Sequence, residues 1–332
     1  MRIAVDAMGG DYAPQQAVFG SIMAAKEKKI ASVLVGRSEE ISRELARYPD
    51  YPQDLITIQE AREVVEFSDH PAMAVRKKRD SSIVVANQLL KKGEVDAVIS
   101  AGSTGASMTA SLFVLGRISG INRPAIAIPL PTVKGVTVLL DAGANAENDP
   151  QDLVQFAVMG TIYASAVLGV ATPKVGLLSI GEEETKGNKL VLETHQLLKE
   201  SGLDFLGNIE GKDILMGLAD VVVCDGFVGN IILKFAEGMS SALFQKMKEA
   251  LLQSPLTKLG ALAIKPSLKQ LKASFDYSEY GGAPLLGVKG VSIISHGRSD
   301  AKAFKNAIIA AANAVEQDVI GKIQSSLDRN GK

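Results

Sequence analysis

Short apolar runs rich in valine and isoleucine alternate with amphipathic stretches along the chain. The runs at 136–140 and 221–223 are apolar at nearly every position, so both faces of these strands are expected to be buried. This alternation predicts an α/β fold with a largely parallel, doubly wound sheet covered by helices on both sides. Strands are predicted to begin at Ile3, Val33, Leu55, Ala97, Ile126, Val136, Val175, Val221 and Val291, and helices are predicted near 14–28, 38–47, 81–92, 104–118, 151–169, 187–200, 228–252 and 300–325.

Residues 240–276 break the alternation, because they carry helical patterns and no strand. Pro255 and Pro266 are expected to cut this segment into separate helical pieces. Elsewhere the sequence has no internal repeat and no low-complexity linker. We therefore expect one α/β/α domain over residues 1–332, with a helical hairpin inserted at about 240–276.

The segment 153–173 carries no charge and is long enough to span a bilayer. Its glutamine, glycines, threonines, serine and tyrosine favour instead a helix buried in protein, which could also lie at a subunit interface. A strand-like run begins at Arg2, so we expect no signal peptide and a cytoplasmic location.

Composition excludes several classes of function. The formal net charge is −1 and tryptophan is absent, so nucleic acid is not an expected partner. One cysteine allows neither a disulfide framework nor a cysteine-built metal site. The three histidines lie far apart and none belongs to an HExxH pattern, so we expect no metal.

Five turns rich in glycine, aspartate and asparagine follow predicted strands, where open α/β sheets bind their ligands. We expect them to face one edge of the sheet. They span residues 6–11, 100–106, 141–145, 180–188 and 225–230.

The chemistry of these turns suits an oxyanion such as phosphate. Glycine lets the backbone approach a ligand closely, and free N–H groups at a helix start attract anions. Ser103 and Thr104 add hydroxyl donors and Lys186 adds a positive charge. Each turn alone could simply connect a strand to a helix. No GxGxxG follows a strand, and Val288 stands where the nearest P-loop-like run requires lysine, so nucleotide motifs are missing.

Candidates for covalent catalysis are few. Cys224 ends an apolar strand and is expected to be a small buried hydrophobe. His195, with charged neighbours on a predicted helix, is expected on a solvated face. His296 ends the strand at 291–295 and is a candidate for a functional role, because it lies at the ligand-binding edge.

Taken together, these motifs resemble one family. DAMGGD at 6–11, AGSTGA at 101–106, DAGAN at 141–145, GLLSIGEEETKGN at 176–188, DVVVCDGFVGN at 220–230 and YGGAPLLG at 280–287 resemble the phosphate:acyl-[acyl carrier protein] acyltransferases of bacterial phospholipid synthesis. The likeness runs from residue 1 to about 300. Ser103 and Ser179 stand where asparagine is usual, and Arg298 stands where a small residue is usual.

The resemblance implies a Rossmann-like α/β/α homodimer, similar to phosphotransacetylases and to the isocitrate dehydrogenase fold. It implies transfer of a long-chain acyl group from acyl carrier protein to inorganic phosphate, without metal or organic cofactor. The acyl phosphate would supply a membrane glycerol-3-phosphate acyltransferase. Family members are thought to sit on the membrane through a helical hairpin near the dimer's tip, so peripheral association with the inner face of the membrane is expected.

The expected reaction needs positioning and charge stabilisation more than activation, because a thiol with a pKa near ~8.5 is a good leaving group. Direct transfer in a ternary complex is the first hypothesis, and an acyl-enzyme on Ser103 or Thr104 is the second. Expected catalytic residues are Lys186, Asn145, Asn230, Ser103, Thr104 and His296; expected binding or turn-orienting residues are Asp6, Gly9, Gly10, Asp11, Gly102, Gly105, Asp141, Gly143, Gly181, Gly187, Asn188, Asp225, Gly226 and Gly229.

Two alternatives stay open. A short-chain phosphotransacetylase would use acetyl coenzyme A, and a membrane-associated scaffold would cleave no thioester. Acyl carrier proteins are acidic, so the basic run at 76–79 is a candidate docking site; it could equally be a solvated loop or helix end.

Six lysines and one acid lie between 240 and 275, around an apolar stripe. Such a stripe is typical of an interfacial helix on an anionic membrane, and neither piece is long enough to span a bilayer. The alternative is that the stripe packs on a partner subunit. The expected membrane-contacting residues are Leu256, Leu259, Leu262, Ile264, Leu268 and Leu271, and Phe275 continues their spacing.

Overall fold

Two β-sheets organise the protein. The computed structural model describes residues 1–274 and 280–330. The first sheet contains β1 (Arg2–Asp6), β2 (Ala31–Gly36), β3 (Ile56–Glu60), β4 (Ala97–Ser100), β5 (Ala125–Ile126), β11 (Ala283–Leu286) and β12 (Val291–Ile294). Their order across the sheet is β3-β2-β1-β4-β12-β11-β5. The first five strands in this order are parallel, and β11 pairs antiparallel with both of its neighbours.

The second sheet contains β6 (Ile128–Thr132), β7 (Gly135–Leu140), β8 (Val175–Leu178), β9 (Phe205–Ile209) and β10 (Val221–Val223). Their order across the sheet is β6-β7-β10-β8-β9, and of these strands only β6 runs antiparallel to its neighbour. Residues of both sheets contribute to one continuous apolar core.

The helices are α1 (Gln15–Lys28), α2 (Ser38–Leu45), α3 (Pro71–Lys77), α4 (Ser82–Lys91), α5 (Thr104–Val114), α6 (Pro150–Leu168), α7 (Lys189–Glu200), α8 (Gly211–Met216), α9 (Gly226–Leu251), α10 (Pro255–Ser274), α11 (Ala301–Glu316) and α12 (Val319–Asn330). Helices α1 and α11 pack against each other on the first sheet, and α6 packs on β7 and β10 of the second. The predicted α/β/α arrangement is therefore present, with the strands divided between two sheets.

Helix α6 accounts for the long uncharged segment. A capping box between Asp149 and Asp152 starts the helix, and Gly169 ends it in a left-handed conformation. Its buried face, which includes Phe156 and Tyr163, enters the shared core. This confirms the interpretation as a helix that packs in protein for residues 153–168, whereas 169–173 lie beyond the end of the helix. None of the helices in the described ranges is long and apolar enough to span a membrane.

Several predicted boundaries were wrong. The pattern at 300–325 is two helices, because Asp318 adopts a positive φ of 48° between them. Pro266 does not divide its segment but lies inside α10. Its missing N–H leaves one helix carbonyl without its usual donor, and water can reach that carbonyl because the helix is exposed. The single strand predicted to begin at Ile126 is two strands, β5 and β6, which belong to different sheets. Strands β9 and β11 and helices α3 and α8 were not predicted. Phe275 and the end of the hairpin at 276 lie outside the described residues.

The contact between α1 and α11 depends on Gly20. A methyl group at this position would lie 2.4 Å from Phe304 Cβ and 2.7 Å from Ala301 O. Gly20→Ala should therefore lower the free energy of unfolding by about 1–3 kcal/mol through overpacking. Gly238→Ala in α9, where nothing lies within 4 Å, is the control and should gain up to about 1 kcal/mol of helix propensity. Equilibrium unfolding in guanidinium measures both; equal stabilities would contradict the close packing.

Candidate active site

The first cluster of turns, defined by residues 6–11, 100–105 and 295–298, lies at the carboxyl ends of β1, β4 and β12. Asp6 is buried, and its carboxylate accepts hydrogen bonds from Ser100 Oγ at 2.7 Å and from the Met8 N–H at 3.2 Å. A methyl group on Gly9 would lie 2.7 Å from Asp6 Oδ2 and 2.8 Å from the nitrogen of Gly102. The turns after β1 and β4 are therefore in direct contact, and only glycine fits at position 9.

Asp6 orients these turns. Burial raises the pKa of its carboxyl, while hydrogen bonds from Ser82 and Ser100 lower it. Gly10 has a φ of 99° and packs on Gly297, whose carbonyl accepts the N–H of Asp11 at 2.7 Å. The three turns of the cluster are thus joined by backbone contacts.

Helix α5 begins within this cluster. Ser103 is its N-cap residue, and Ser103 Oγ accepts the Ala106 N–H at 3.5 Å. Thr104 is exposed, and its side chain has no hydrogen-bond partner among the described residues. Gly105 packs on the ring of Pro71, so α3 closes the cluster from the side. The start of α5 therefore offers free backbone N–H groups and one free hydroxyl near Asp6 and Gly9.

His296 lies at the edge of the same cluster. The Ser295 N–H donates to Ser100 O at 2.8 Å, which holds the end of β12 beside the turn after β4. His296 is exposed, and its Nδ1 accepts the Arg298 N–H at 3.1 Å. When the ring is neutral its proton is therefore on Nε2, which has no hydrogen-bond partner among the described residues and can donate to a ligand.

The second cluster, residues 141–145 and 224–230, lies at the ends of β7 and β10. Asp141 is fully buried at its centre. Its Oδ1 accepts the backbone N–H groups of Ile126, Gly143 and Ala144. Its Oδ2 accepts the backbone N–H and the side-chain Nδ2 of Asn145, which makes five hydrogen bonds in total. Burial raises the pKa of this carboxyl and the hydrogen bonds lower it.

Helix α9 packs directly on Asp141. A methyl group on Gly229 would lie 1.9 Å from Asp141 O, and one on Gly226 would lie 2.7 Å from Asp141 Oδ2. Asp225 caps the helix, because its Oδ1 accepts the Val228 N–H at 2.9 Å. Cys224 is buried against the same carbonyl, and burial raises the pKa of its thiol, as expected for a residue that is not a nucleophile.

Asn145 and Asn230 differ in what they can offer a ligand. Asn145 Nδ2 donates to Pro124 O at 2.7 Å and to Asp141 Oδ2 at 2.9 Å, which uses both amide hydrogens. Asn145 therefore holds the turn, which differs from the direct role expected. Asn230 is exposed beside Gly143, and its amide has no hydrogen-bond partner in the described part of the chain.

The lysine loop, residues 179–188, follows β8. Strand β8 is the parallel neighbour of β10, so this loop and the α9 turn leave the same sheet edge. Lys186 is exposed, and its ammonium makes no ion pair with any described residue. Gly181 packs on the side chain of Lys186, and Asn188 caps α7 by accepting the Val191 N–H at 3.0 Å.

A cleft of about 600 Å³ separates α5 from the second cluster. Met108 and Leu112 of α5 form an apolar wall, Asn145 lies on the other side, and Arg117 and Arg123 stand at the exposed rim. The first cluster and this cleft therefore share one helix. No sequence motif singled out the two arginines.

The five predicted turns do not share one sheet. The turns after β1 and β4 belong to the first sheet, and those after β7, β8 and β10 belong to the second, because the strands divide between two sheets. The structure brings the predicted residues into two clusters and one adjoining loop.

One other expectation needs correction. His195 is not on a solvated face but is 2% exposed, because α7 turns it toward β9.

The basic run lies at the end of α3. Lys78 Nζ donates to Asp69 Oδ2 and to Val64 O, and Arg76 lies over the ring of Phe113. Arg76, Lys77 and Arg79 are exposed, and docking of carrier protein at this run stays a prediction.

Within the described ranges, one group of acidic side chains, formed by Glu182, Glu210 and Asp213, is close enough to share an ion. Lys212 pairs with both glutamates of this group. Its ammonium supplies the positive charge there, so the arrangement is that of a surface ion network.

Comparison with known proteins adds a family and a fold. A sequence model of the family described as fatty acid synthesis protein matches residues 1–322. A relative from Desulfitobacterium hafniense strain Y51 is 56% identical, over 99% of this chain and 98% of the relative, and is named phosphate acyltransferase. One from Pelotomaculum thermopropionicum, 54% identical over 99% of this chain and 95% of the relative, carries the same name.

Solved structures share the fold at low sequence identity. A phosphotransacetylase from Streptococcus pyogenes is 21% identical with a TM-score of 0.64, covering 95% of this chain and 94% of that one. A 4-hydroxythreonine-4-phosphate dehydrogenase from Klebsiella pneumoniae is 13% identical with a TM-score of 0.53, covering 95% and 99%. These similarities confirm the predicted Rossmann-like, dehydrogenase-related fold.

The hydrogen bonds around Asp141 yield a stability prediction. In Asp141→Asn, one oxygen becomes an NH₂ group that faces at least two N–H donors, so the free energy of unfolding should fall by at least about 2 kcal/mol. Asp225→Asn is the matched control, because asparagine caps a helix about as well as aspartate. Thermal and denaturant unfolding measure both variants. A stable Asp141→Asn protein would show that the carboxylate does not hold the turn.

Proposed function

The chain belongs to the fatty acid synthesis protein family and is an acyltransferase, and from this premise we propose that it transfers a long-chain fatty acyl group from acyl carrier protein to inorganic phosphate. The products are acyl phosphate and free carrier protein. A membrane glycerol-3-phosphate acyltransferase would consume the acyl phosphate for phospholipid synthesis. Both sheets share one apolar core, which supports a single catalytic unit.

The observation that carries this proposal is the set of donors without an internal partner. The Lys186 ammonium, the Asn230 amide and the Thr104 hydroxyl are exposed and unpaired within the described ranges. The start of α5 adds N–H groups and the positive end of a helix dipole. A phosphate dianion supplies the acceptors and the charge that these groups lack.

The proposed reaction is a direct displacement. A phosphate oxygen forms a bond to the thioester carbonyl carbon, and the carbonyl electron pair moves onto its oxygen. This pair then returns, the C–S bond breaks, and the thiolate takes the proton that hydrogen phosphate carried. Lys186 and Asn230 stabilise the negative charge, and His296 can donate from Nε2.

Direct transfer is favoured over an acyl-enzyme on Ser103. Ser103 Oγ accepts the helix-capping bond from the Ala106 N–H, so acylation would disturb the start of α5. Asp6 and Asp141 are surrounded by hydrogen-bond donors and orient the turns. The cleft beside Asn145 is proposed to receive the thioester arm, because it has an apolar wall for the chain and two arginines at the rim for an acidic carrier protein.

The test is phosphate-dependent release of carrier-protein thiol from palmitoyl carrier protein. Lys186→Ala should lower kcat/KM for phosphate by about 10²–10³-fold, because it removes a charge that faces the developing anion. Lys189→Ala, an exposed lysine three residues away that pairs with Glu193, is the matched control and should stay near the wild-type value.

Two results would contradict the proposal. Equal turnover of acetyl coenzyme A and palmitoyl carrier protein would favour a short-chain phosphotransacetylase. Absence of any phosphate-dependent cleavage in the wild-type protein would favour a scaffold.

Helices α9 and α10 suggest how the protein meets a partner subunit and a membrane. Exposed apolar side chains recur at every fourth position of α9, at Phe227, Ile231, Phe235, Met239 and Leu243. We propose that this stripe forms the homodimer contact, because it is long, apolar and continuous on one helix.

The α10 helix carries a second apolar surface. Leu256, Leu259 and Leu262 are 80%, 65% and 66% exposed, and Ile264 and Leu271 are also exposed, whereas Leu268 is partly buried. Lys258, Lys265 and Lys269 are exposed on the same helix. We propose peripheral binding to anionic lipid at the inner face of the cell membrane, because a long-chain product partitions there by roughly 0.8 kcal/mol per CH₂.

A charge-matched pair of variants tests the membrane contact. Leu259→Glu with Leu262→Glu should abolish salt-sensitive flotation with phosphatidylglycerol vesicles, while activity in solution persists. Gln253→Glu with Ser267→Glu adds the same charge at exposed polar positions and should retain much more binding. Equal flotation of both double variants would remove α10 as the anchor. Loss of dimerisation in the leucine variant, measured by sedimentation, would show that these leucines pack on the partner subunit.

A further inference from the structure

A buried histidine lies behind the lysine loop. His195 projects from α7 toward β9, is 2% exposed, and meets the ring of Phe205 edge-on at 5.2 Å between centroids. Its Nδ1 lies 2.9 Å from Asn208 Oδ1. Asn208 is itself 5% exposed. Neither side chain belongs to the turns already assigned to the site.

The direction of these hydrogen bonds follows from their partners. Asn208 Nδ2 donates to Glu183 O at 2.9 Å and to Lys186 O at 3.4 Å. The Asn208 oxygen must therefore face His195, because a flipped amide would point its oxygen at two carbonyl oxygens. His195 Nδ1 is then the donor, and its neutral ring carries the proton on Nδ1.

The chain of donors ends on the backbone of Lys186. Its carbonyl accepts from Asn208 Nδ2 and also from Ser179 Oγ at 3.2 Å, and its N–H donates to Glu183 O at 3.0 Å. Both polar groups of the Lys186 backbone are thus fixed while the side chain has no ion pair in the described part of the chain. The buried pair is thus linked to the backbone from which the Lys186 side chain leaves the loop.

We propose that His195 and Asn208 are positioning residues, which act through the Glu183 and Lys186 carbonyls to hold the Lys186 ammonium where phosphate binds. This inference rests on the proposed function of Lys186. The remaining ring nitrogen, Nε2, has no hydrogen-bond partner among the described residues, and the nearest carboxylate, Glu184 Oε1, is 3.8 Å away. Glu184 is held instead by Lys199 at 2.9 Å.

Steady-state kinetics separates positioning from general damage. Asn208→Leu removes the donors at similar volume and should raise KM for phosphate by about tenfold, while KM for palmitoyl carrier protein changes less than twofold. His195→Leu should have the same effect, and His195→Asn, whose amide nitrogen lies close to the position of the ring Nδ1 and can still donate to Asn208, should recover most of the loss. In a Lys186→Ala background, Asn208→Leu should add nothing.

Glu193→Gln, a change on the exposed face of α7, is the control and should match wild type. An unchanged phosphate KM in Asn208→Leu would overturn the inference, and so would equal increases in both KM values. If Lys186→Ala loses activity while Asn208→Leu and His195→Leu keep wild-type kinetics, the positioning role is rejected and the proposed function of the protein still holds.

Two measurements do not depend on activity. They therefore test the positioning role of His195 and Asn208 even if the proposed function of the protein is wrong. Hydrogen exchange of residues 183–188 should be faster in Asn208→Leu than in wild type or Glu193→Gln. In ¹⁵N spectra of the wild-type protein near neutral pH, His195 should carry its proton on Nδ1. A proton on His195 Nε2, or unchanged hydrogen exchange of residues 183–188 in Asn208→Leu, would overturn the inference. The tautomer is measured on the wild-type protein, so this test does not depend on how well the variants fold.

Discussion

Buried carboxylates that accept backbone N–H groups hold the two halves of the candidate site. A strand that ends in a tight turn leaves several N–H groups without a sheet partner, and a buried N–H left unpaired is costly. Asp141 accepts four such backbone donors and the Asn145 side-chain amide in the second sheet, and Asp6 serves the same purpose in the first. Glycine completes both arrangements, because Gly9 packs on the Asp6 carboxylate and Gly102, and Gly229 packs on the backbone carbonyl of Asp141.

This constraint divides the polar residues into two groups. Asp6, Asp141, Asp225 and Asn145 use their hydrogen-bonding capacity inside the protein. Lys186, Asn230 and Thr104 have no side-chain partner in the part of the chain that the structure describes, so their donors are available to solvent or a ligand. Residues in one short motif therefore have different roles. In the 225–230 turn, Asp225 caps the start of α9, whereas the Asn230 amide remains available to bind a ligand. A motif in sequence does not separate these groups, because the separation depends on contacts between distant turns.

The sequence predicted the strands of the parallel core well, because strands buried on both faces give continuous apolar runs. Strand β9, with the mixed sequence FLGNI, lacked that pattern. His195 was misassigned because Glu193 and Lys199 suggested a solvated face. The spacing of Val191, Thr194, His195 and Leu198 gives a buried stripe on the same helix, and this signal could have corrected the assignment. The link from Asn208 to Lys186 could not be predicted, since it joins residues 22 positions apart through a backbone carbonyl.

Helix α9 begins at the Asp225 cap and continues for 26 residues to the turn that precedes α10. At 1.5 Å per residue it is a rod of about 39 Å, and each residue turns it by about 100°. The length of α9 therefore sets both how far the hairpin lies from the Asp225 cap and the direction in which it points around the helix axis. Removal or insertion of one residue would swing the hairpin by more than a quarter turn around the rod while the cap stayed fixed. Relatives that keep both ends in register would be expected to vary this helix in steps of three or four residues, close to whole turns.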